Sequence, residues 1–559
     1  MTMLCHRSMG VSGLSILIVL GAFAASERAR GADRTVSLEE KRLIAIPPEH
    51  LQPVTLKGAA ARGGYSIVIA GDGSTAAYVA RQEGKHFVVV GSEKGPELEG
   101  EITGLKLSRD GKTVVYVVVT ADRRIPYVNH KPLTDDDASI KVVAMRDLFL
   151  LSPDGARVAA VMEAGDKDFV IVDGQRGPEY PFHTVYVPVF SPDSKHFAYN
   201  VNQGAKCCVV LDGKPGPEFR GVSRAVFSAD SAHMAYAAAA PNPPARPKYA
   251  GDADWQIMLD GSPGPVFEEI SNPTFGADNT SLAYVAEVEK KNLIVFNGRQ
   301  GQAFDLIYGS DGLIFSPDSK RIAYNAKWRE ETVMVVDEAI GPPLDSRTEF
   351  LFSPDSTRYA YKGTIGEKKM QEELLKRVME GATEESKEEA KKAVREVLID
   401  NGEVVGEFDK IGPGSVVFSP DSKTLGCAAT VGGKSFILLN GKKGVEYEGI
   451  LYGPVFSPDG KNVAYAVNRQ VPGESKGFIV VNDVAGPMFE GVSSPVFSAD
   501  SNHCAYAAAK AGKQFIVLDG EAGEEGDNAQ SPAFSPDGKH LTYLSIAGRE
   551  IWWKVMEVK

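Results

Sequence analysis

Short apolar runs separated by turn residues recur along nearly the whole chain. One stretch reads Val189-Phe190, Ser191-Pro192-Asp193-Ser194, Phe197-Ala198-Tyr199, a polar turn, Cys207-Cys208-Val209-Val210-Leu211, Asp212-Gly213 and Gly216-Pro217-Glu218-Phe219. Runs this short, rich in β-branched and aromatic residues and bounded by Gly, Pro and Asp, predict four β-strands joined by turns. In the Ser-Pro-Asp turn, Pro presets φ and the Asp carboxylate accepts a nearby backbone N–H; Gly or a substitute follows. The turn recurs twelve times, with aspartates at Asp72, Asp110, Asp154, Asp193, Asp230, Asp278, Asp318, Asp355, Asp421, Asp459, Asp500 and Asp537. Intervals are 37 to 48 residues, except one of 66 that holds an insertion. Four strands in about 40 residues is the size of a propeller blade, and rings hold about four to eight blades. The sequence therefore predicts an all-β fold of two tandem β-propellers, each with six four-stranded blades. All twelve aspartates are expected to serve as structural turn residues.

The best copies are Phe456-Ser457-Pro458-Asp459-Gly460 followed by Val463-Ala464-Tyr465, and Phe315-Ser316-Pro317-Asp318-Ser319 followed by Ile322-Ala323-Tyr324. This pattern resembles the WD40-like, TolB-type propeller repeats (PD40 repeats), and the resemblance covers nearly the whole chain after its first 50 residues. It departs at Ala160 and Cys427, which stand where Tyr is usual, and at Gly71-Asp72-Gly73, which lacks Ser-Pro. The resemblance implies an exported scaffold that engages peptides or envelope proteins. Some relatives serve as the lid of serine peptidases, but no stretch here is left over for a hydrolase domain.

The last unit ends after Ile551-Trp552-Trp553-Lys554-Val555, its third strand. Val54-Thr55-Leu56 precedes the first unit, and Ala303-Phe304-Asp305-Leu306 precedes the seventh. Each is read as the strand that completes its own ring's last blade, which removes bare edges. The first propeller is placed at 51–300 and the second at 301–559. Residues 366–397 carry helical periodicity instead. Met370, Leu374, Leu375 and Val378 form one stripe and Ala390, Ala393, Val394 and Val397 another, split by Gly381 and Thr383, which predicts a helical hairpin within the second propeller. Its stripes need cover, so Met370, Leu374 and Val378 are candidates for a partner surface. Trp255 and Trp328 are candidates for a ligand platform. The loop from Ala238 to Trp255 and the loop from Ala121 to Asp137 are read as length variation on rigid blades.

Near the N-terminus, Arg7, the apolar run Val11–Gly21 and Ala22-Phe23-Ala24 match a signal peptide over 1–24, with a polar extension over 25–50. The expected location is therefore exported, periplasmic or extracellular. A formal net charge of −13 and the lack of any long basic run exclude a nucleic-acid binder. Cys207, Cys208, Cys427 and Cys504 fit small buried side chains rather than a disulfide framework or a metal site. No HExxH or CxxC is present, and Gly432-Gly433-Lys434-Ser435 lacks the upstream Gly of a phosphate loop. His196, His233, His503 and His540 share one repeat position, three past their Asp, and are too few per ring for a metal set. No catalytic residue, cofactor or metal is predicted. The expected function is binding of a protein or peptide at the cell envelope. The alternatives are a propeller enzyme acting on a sugar, lactone or peptide, and a purely structural envelope protein.

Overall fold

The structure is a computed structural model that describes residues 15–19, 39–45, 64–70 and most of 74–558. Outside it lie 1–14, 20–38, 46–63, 71–73, 134–139, 143–148, 240–253, 372–393 and several shorter loop stretches. Asp72, the Val54–Leu56 segment, the Asp135–Asp137 triplet, Leu374, Val378 and most of the predicted hairpin fall among these. The described residues form an almost wholly β array of twelve sheets, most of them antiparallel four-stranded meanders, with the first strand broken in two in several. Each described Ser-Pro-Asp turn, or its variant, joins the first strand of a sheet to the second. Sheet seven is representative, running Leu306–Ile307 with Ile314–Phe315, then Ile322–Trp328, Glu331–Val336 and Ala339–Leu344.

The second and third strands are the buried heart of each sheet. In Leu282–Val288 and Lys291–Phe296, residues 283, 284, 294 and 295 are all under 5% exposed. Apolar residues therefore face both ways, as a sheet covered on both sides requires. Pro188, Pro273, Pro454, Pro495 and Pro532 recur in or beside the first strand, a place for Pro only where an edge needs no donor. The Pro ring also blunts that edge against pairing with a foreign strand.

Between the third and fourth strands stands an Asp-Gly or Asn-Gly turn with both residues left-handed, for example Asp212 at φ 49° and Gly213 at φ 75°. This backbone twist matches that of the strands it joins. The side chain of the turn's first residue reaches back to the start of the second strand. Asp212 Oδ1 accepts the Phe197 N–H at 2.9 Å, and Asn297, Asp337, Asn440 and Asp519 make the same bond in their sheets.

The fourth strand then crosses toward the next sheet. Its Gly comes within hydrogen-bond reach of the third strand, with Gly486 N–H on the Ile479 carbonyl at 2.8 Å. A Cβ on Gly486 would stand 3.1 Å from that oxygen, a tight contact that Gly avoids. The aromatic residue three positions on meets the Tyr of the following sheet edge-on. Phe219 meets Tyr236, Phe304 meets Tyr324 and Phe489 meets Tyr506, at centroid distances of 6.4, 5.8 and 6.4 Å. Such contacts contribute about 0.5–1.5 kcal/mol each beyond burial, and they fill the gaps between successive sheets.

The chain forms two compact units, chiefly Glu40–Val266 and chiefly Phe267–Ser545. Within the first, apolar layers join sheets one to two, two to three, three to four and four to five. Within the second, a layer joins each sheet to the next from six through twelve. Residues 300 and 301, where the sequence divides the two predicted propellers, lie inside the second unit.

Two chain-end expectations change. Ala303–Leu306 does not complete a distant blade. Phe304 bridges Asn292 at the edge of sheet six, as Leu98, Phe219, Tyr447 and Phe489 bridge in theirs, and Leu306 pairs Lys327 in sheet seven. It is the ordinary link between neighbours. The twelfth sheet instead takes Glu39–Ala45 beside Glu550–Glu557 as its fourth strand. Ser15–Val19, inside the predicted signal peptide, pairs parallel with Gly64–Val68 at the edge of the first sheet.

Candidate functional site

The repeated aspartates carry the densest polar chemistry of the molecule, so the site is built from them. In the turn of sheet eight, Ser353 is fully buried and its hydroxyl donates to Asp355 Oδ1 at 2.6 Å. The same Oγ accepts the Arg358 N–H at 2.9 Å, and Asp355 Oδ1 also accepts the Thr357 N–H at 3.0 Å. The same Ser–Asp pair recurs at Asp110, Asp154, Asp193, Asp230, Asp318, Asp421, Asp459, Asp500 and Asp537. Asp278 departs because Gly276 replaces the Ser, and Ser281 supplies the hydroxyl instead at 2.7 Å. Hydrogen bonds to the charged form favour it. The Ser hydroxyl, then the backbone N–H, hold Asp355, Asp459 and Asp500 down to about 2.

The turns are also tied to each other. The N–H of Asp154 donates to the hydroxyl of Ser194 in the next turn at 3.0 Å, and Asp193 donates to Ser231 at 2.9 Å. In the second unit Asp278, Asp318, Asp355 and Asp459 reach Ser319, Ser356, Ser422 and Ser501 at 3.0–3.1 Å. Each accepting Ser directly follows its own Asp and is left-handed, with φ between 59° and 67°. A non-Gly residue there is uncommon; these serines hold it because the hydroxyl closes a seam between sheets. Where Gly155 and Gly460 stand instead, the neighbouring turn leaves no room for a side chain. A Cβ on Gly155 would lie 2.3 Å from Ser108 Cβ, and one on Gly460 would lie 2.8 Å from Asp421 Oδ1.

Three residues past the Asp, a long cation often extends the tie. Arg321 Nε bonds Asp337 Oδ2 at 2.6 Å while Nη1 reaches the Ser356 and Thr357 carbonyls of the next turn at 2.9 and 3.1 Å. Arg157 and Arg358 do the same in their sheets. The histidines at this position pair with the Asp of the third-to-fourth-strand turn, His196 with Asp212, His233 with Asp260 and His503 with Asp519, at 2.6–2.7 Å. His540 lies 3.9 Å from its own Asp537.

At the opposite end of the sheets is a second set of ties that sequence reasoning missed. The acidic residue just after the last apolar residue of the fourth-strand segment accepts an N–H from the hairpin of the following sheet. Asp305, Asp345, Asp409, Glu448 and Glu490 accept from Arg329, Glu367, Gly432, Gln470 and Ala511 at 2.5–3.1 Å. The available signal was a recurring Phe-Asp, Tyr-Glu or Phe-Glu pair.

The predicted surface residues are placed as follows. Met370 is half-buried in the single helical turn described at the start of the insertion, whose Glu367 N–H is held by Asp345. Trp328 packs edge-on against Phe304 at 5.4 Å, with the Arg329 guanidinium over its other side. It belongs to the layer between sheets six and seven. Trp255 begins the third strand of sheet five, and its ring lies 3.0 Å from where a Cβ on Gly221 would stand. Trp255 belongs to the first unit, Trp328 and Met370 to the second. Cys207, Cys427 and Cys504 are buried, and burial pushes Cys427 and Cys504 up to about 12. Among the described residues, no three His, Cys, Asp or Glu side chains gather as a metal site.

A cleft of about 220 Å³ lies between sheets six and seven, lined by Glu269, Ile270, Ser271, Val285, Ala286, Glu287, Asn292 and Ile307. Glu269 and Glu287 are direct partners on neighbouring strands. Burial, then Glu269 and Glu268, push the Glu287 carboxyl above its ordinary value.

No family model matches the chain, and no curated protein does. Solved structures do match. A eukaryotic initiation factor shares 14% identity over 74% of this chain and 95% of its own, with a TM-score of 0.30. The Dos1 propeller shares 10% over 67% and 92%, with a TM-score of 0.26. The Cps50 (Swd1) β-propeller domain of Myceliophteria thermophila shares 12% over 64% and 98%, with a TM-score of 0.22. At such TM-scores the likeness decides nothing about function.

Proposed function

We propose that this chain is an exported, non-catalytic scaffold whose sheets close into two propellers and whose sheet ends hold a protein or peptide. The observation that carries the reading is where the polar chemistry goes. Serines, aspartates and arginines of the turns bond one another and the next sheet, which makes a rigid framework. Large apolar side chains meanwhile stand exposed on the second unit, Leu451 and Tyr452 at 42% each, Met488 at 47% and Val484 at 71%. Exposed apolar side chains on a rigid scaffold suit protein contact. The apolar run ending in Ala22-Phe23-Ala24 supports export.

A photo-crosslinking residue placed at Tyr452 tests the binding reading. It is expected to trap one discrete partner in living cells, whereas the same probe at the turn residue Lys461 traps none. Equal, diffuse labelling from both positions would sink it. Export predicts a mature protein that begins at Ala25; recovery of the intact N-terminus from the cell interior would contradict that and leave Ser15–Val19 available to the first sheet.

A further inference from the structure

We propose that the cleft between sheets six and seven receives the guanidinium of an arginine side chain from a bound peptide. This rests on the partner-binding reading and names one subsite of it.

The first argument is a broken local rule. Like charges directly opposite on neighbouring strands destabilise a sheet. Sheet six sets Glu269 opposite Glu287. The matching pair is Leu306 and Lys327 in sheet seven, Lys410 and Thr430 in sheet nine, Gly449 and Asn468 in sheet ten, and Gly491 and Ala509 in sheet eleven. Among these five sheets, sheet six alone doubles a negative charge there. No hydrogen bond or ion pair among the described residues engages either carboxylate. Burial and the neighbouring carboxylates disfavour the charge on Glu287 more than Lys290, on the adjoining hairpin, favours it, so a further cation entering the cleft relieves a cost the framework carries.

The second argument is shape and lining. A volume of about 220 Å³ is below the roughly 300–1,000 Å³ of sites that enclose a whole small molecule, and it suits a single side chain. Ile270, Val285, Ala286 and Ile307 offer apolar wall to a methylene stem. The remaining oxygens are committed elsewhere. Ser271 Oγ accepts the Val285 N–H at 2.9 Å and donates to the Asn272 carbonyl at 3.2 Å, and Asn292 Oδ1 accepts the Ile307 N–H at 3.1 Å. Two carboxylates supply at most four oxygens, short of the six to eight that calcium takes. They match the planar fork of a guanidinium, which pairs with carboxylates through parallel N–H bonds. The next residues along each strand, Val288 and Leu306, are exposed at 37% and 42%, so apolar contacts for residues flanking the arginine lie at hand.

The test titrates the full chain with N-acetylarginine amide and with N-acetylcitrulline amide, which has the same shape without the charge, by ligand-observed saturation-transfer NMR. Saturable arginine-amide binding is expected, with citrulline amide at least about tenfold weaker. Glu287→Gln and Glu269→Gln are each expected to weaken arginine-amide binding by about tenfold or more while the circular dichroism spectrum stays unchanged. Equal affinity for the two amides overturns the proposal on the unaltered protein, whatever the variants do. So does calcium chloride raising the melting temperature at micromolar concentration while arginine amide fails to bind, which would make the cleft a metal site. Arginine amide failing while Tyr452 still traps its partner removes only this subsite; loss of the Tyr452 crosslink removes the broader reading.

Discussion

Ser356 offers the sharpest test of how these sheets are held together. Its hydroxyl accepts the Asp318 N–H of the preceding turn at 3.0 Å, it is 4% exposed, and its backbone is left-handed at φ 66°. Two opposed effects meet at one residue. Removing the hydroxyl takes the acceptor from a part-buried N–H, a cost of about 1–3 kcal/mol. Removing the Cβ relieves a left-handed backbone that costs a non-Gly residue roughly 1–2 kcal/mol. Ser356→Ala keeps the steric cost and loses the bond, so it should destabilise the seam between sheets seven and eight by about 1–3 kcal/mol. Ser356→Gly loses the same bond but recovers about 1 kcal/mol or more of backbone strain, so it should cost clearly less than Ala. This inverts the usual order, in which Gly is the worse substitution. Hydrogen exchange read by mass spectrometry on peptides spanning Asp318 measures it locally. Exchange should speed by roughly 10-fold or more in the Ala variant and about five-fold less than that in the Gly variant, 1.4 kcal/mol being a factor of ten. If the Gly variant exchanges as fast as the Ala variant or faster, the seam does not work by this trade.

Other consequences can be checked on the same protein. Phe304→Ala removes a fully buried ring that meets both Tyr324 and Trp328, and should destabilise the second unit by about 3–5 kcal/mol in urea unfolding. The aspartates of the turns titrate below their unfolded value of about 3.9, so the stability they confer is complete above that value and lost as pH falls toward about 2. The melting temperature should therefore drop steeply between about pH 4 and pH 2, and Ser353→Ala, which removes the main hydrogen bond to Asp355, should lower it at neutral pH and make the acid drop shallower. Cys427 and Cys504, buried and pushed up to about 12, should resist iodoacetamide at pH 8 until the chain unfolds, as counted by intact mass.

The repeat was legible because it is written in residues with few alternative uses. Pro, Asp and Gly at fixed offsets define a turn, and Phe and Tyr at fixed offsets define the layer beneath it; the twelve sheets and their inter-sheet aromatic pairs follow from that. The chain-end strands are less legible. The segment that completes the twelfth sheet, Glu39–Ala45, reads Glu-Glu-Lys-Arg-Leu-Ile-Ala, with four charged residues before its apolar ones. A strand added at an outer edge buries little, so its sequence carries little pattern. Ala303–Leu306 looked like a closing strand because its Phe and Leu are apolar, yet every sheet has such a link, and Phe304 serves the same layer as Phe219 and Phe489. The two sets of ties were partly hidden for a different reason. A serine that accepts across a seam is identical in sequence to a serine that merely tolerates a turn, and only the neighbour's position, roughly one repeat away, tells them apart.

That distinction bears on which seams give way first. Seams closed by Ser, as from sheet six through nine, carry a hydroxyl bond at one end of the sheets and a carboxylate bond at the other. From sheet nine to ten the turn position is Gly460, so the hydroxyl bond is absent and the carboxylate of Glu448 remains. At Gly155 the closer approach leaves no room for a side chain, since its Cβ would lie 2.3 Å from that of Ser108. Turning that Gly into Ser cannot install the bond, because the hydroxyl needs the wider spacing that the Ser-type seams have. The residue at this one position thus decides whether the hydroxyl bond is present, and the seams at Gly155 and Gly460, which lack it, should open under load before the Ser-type seams.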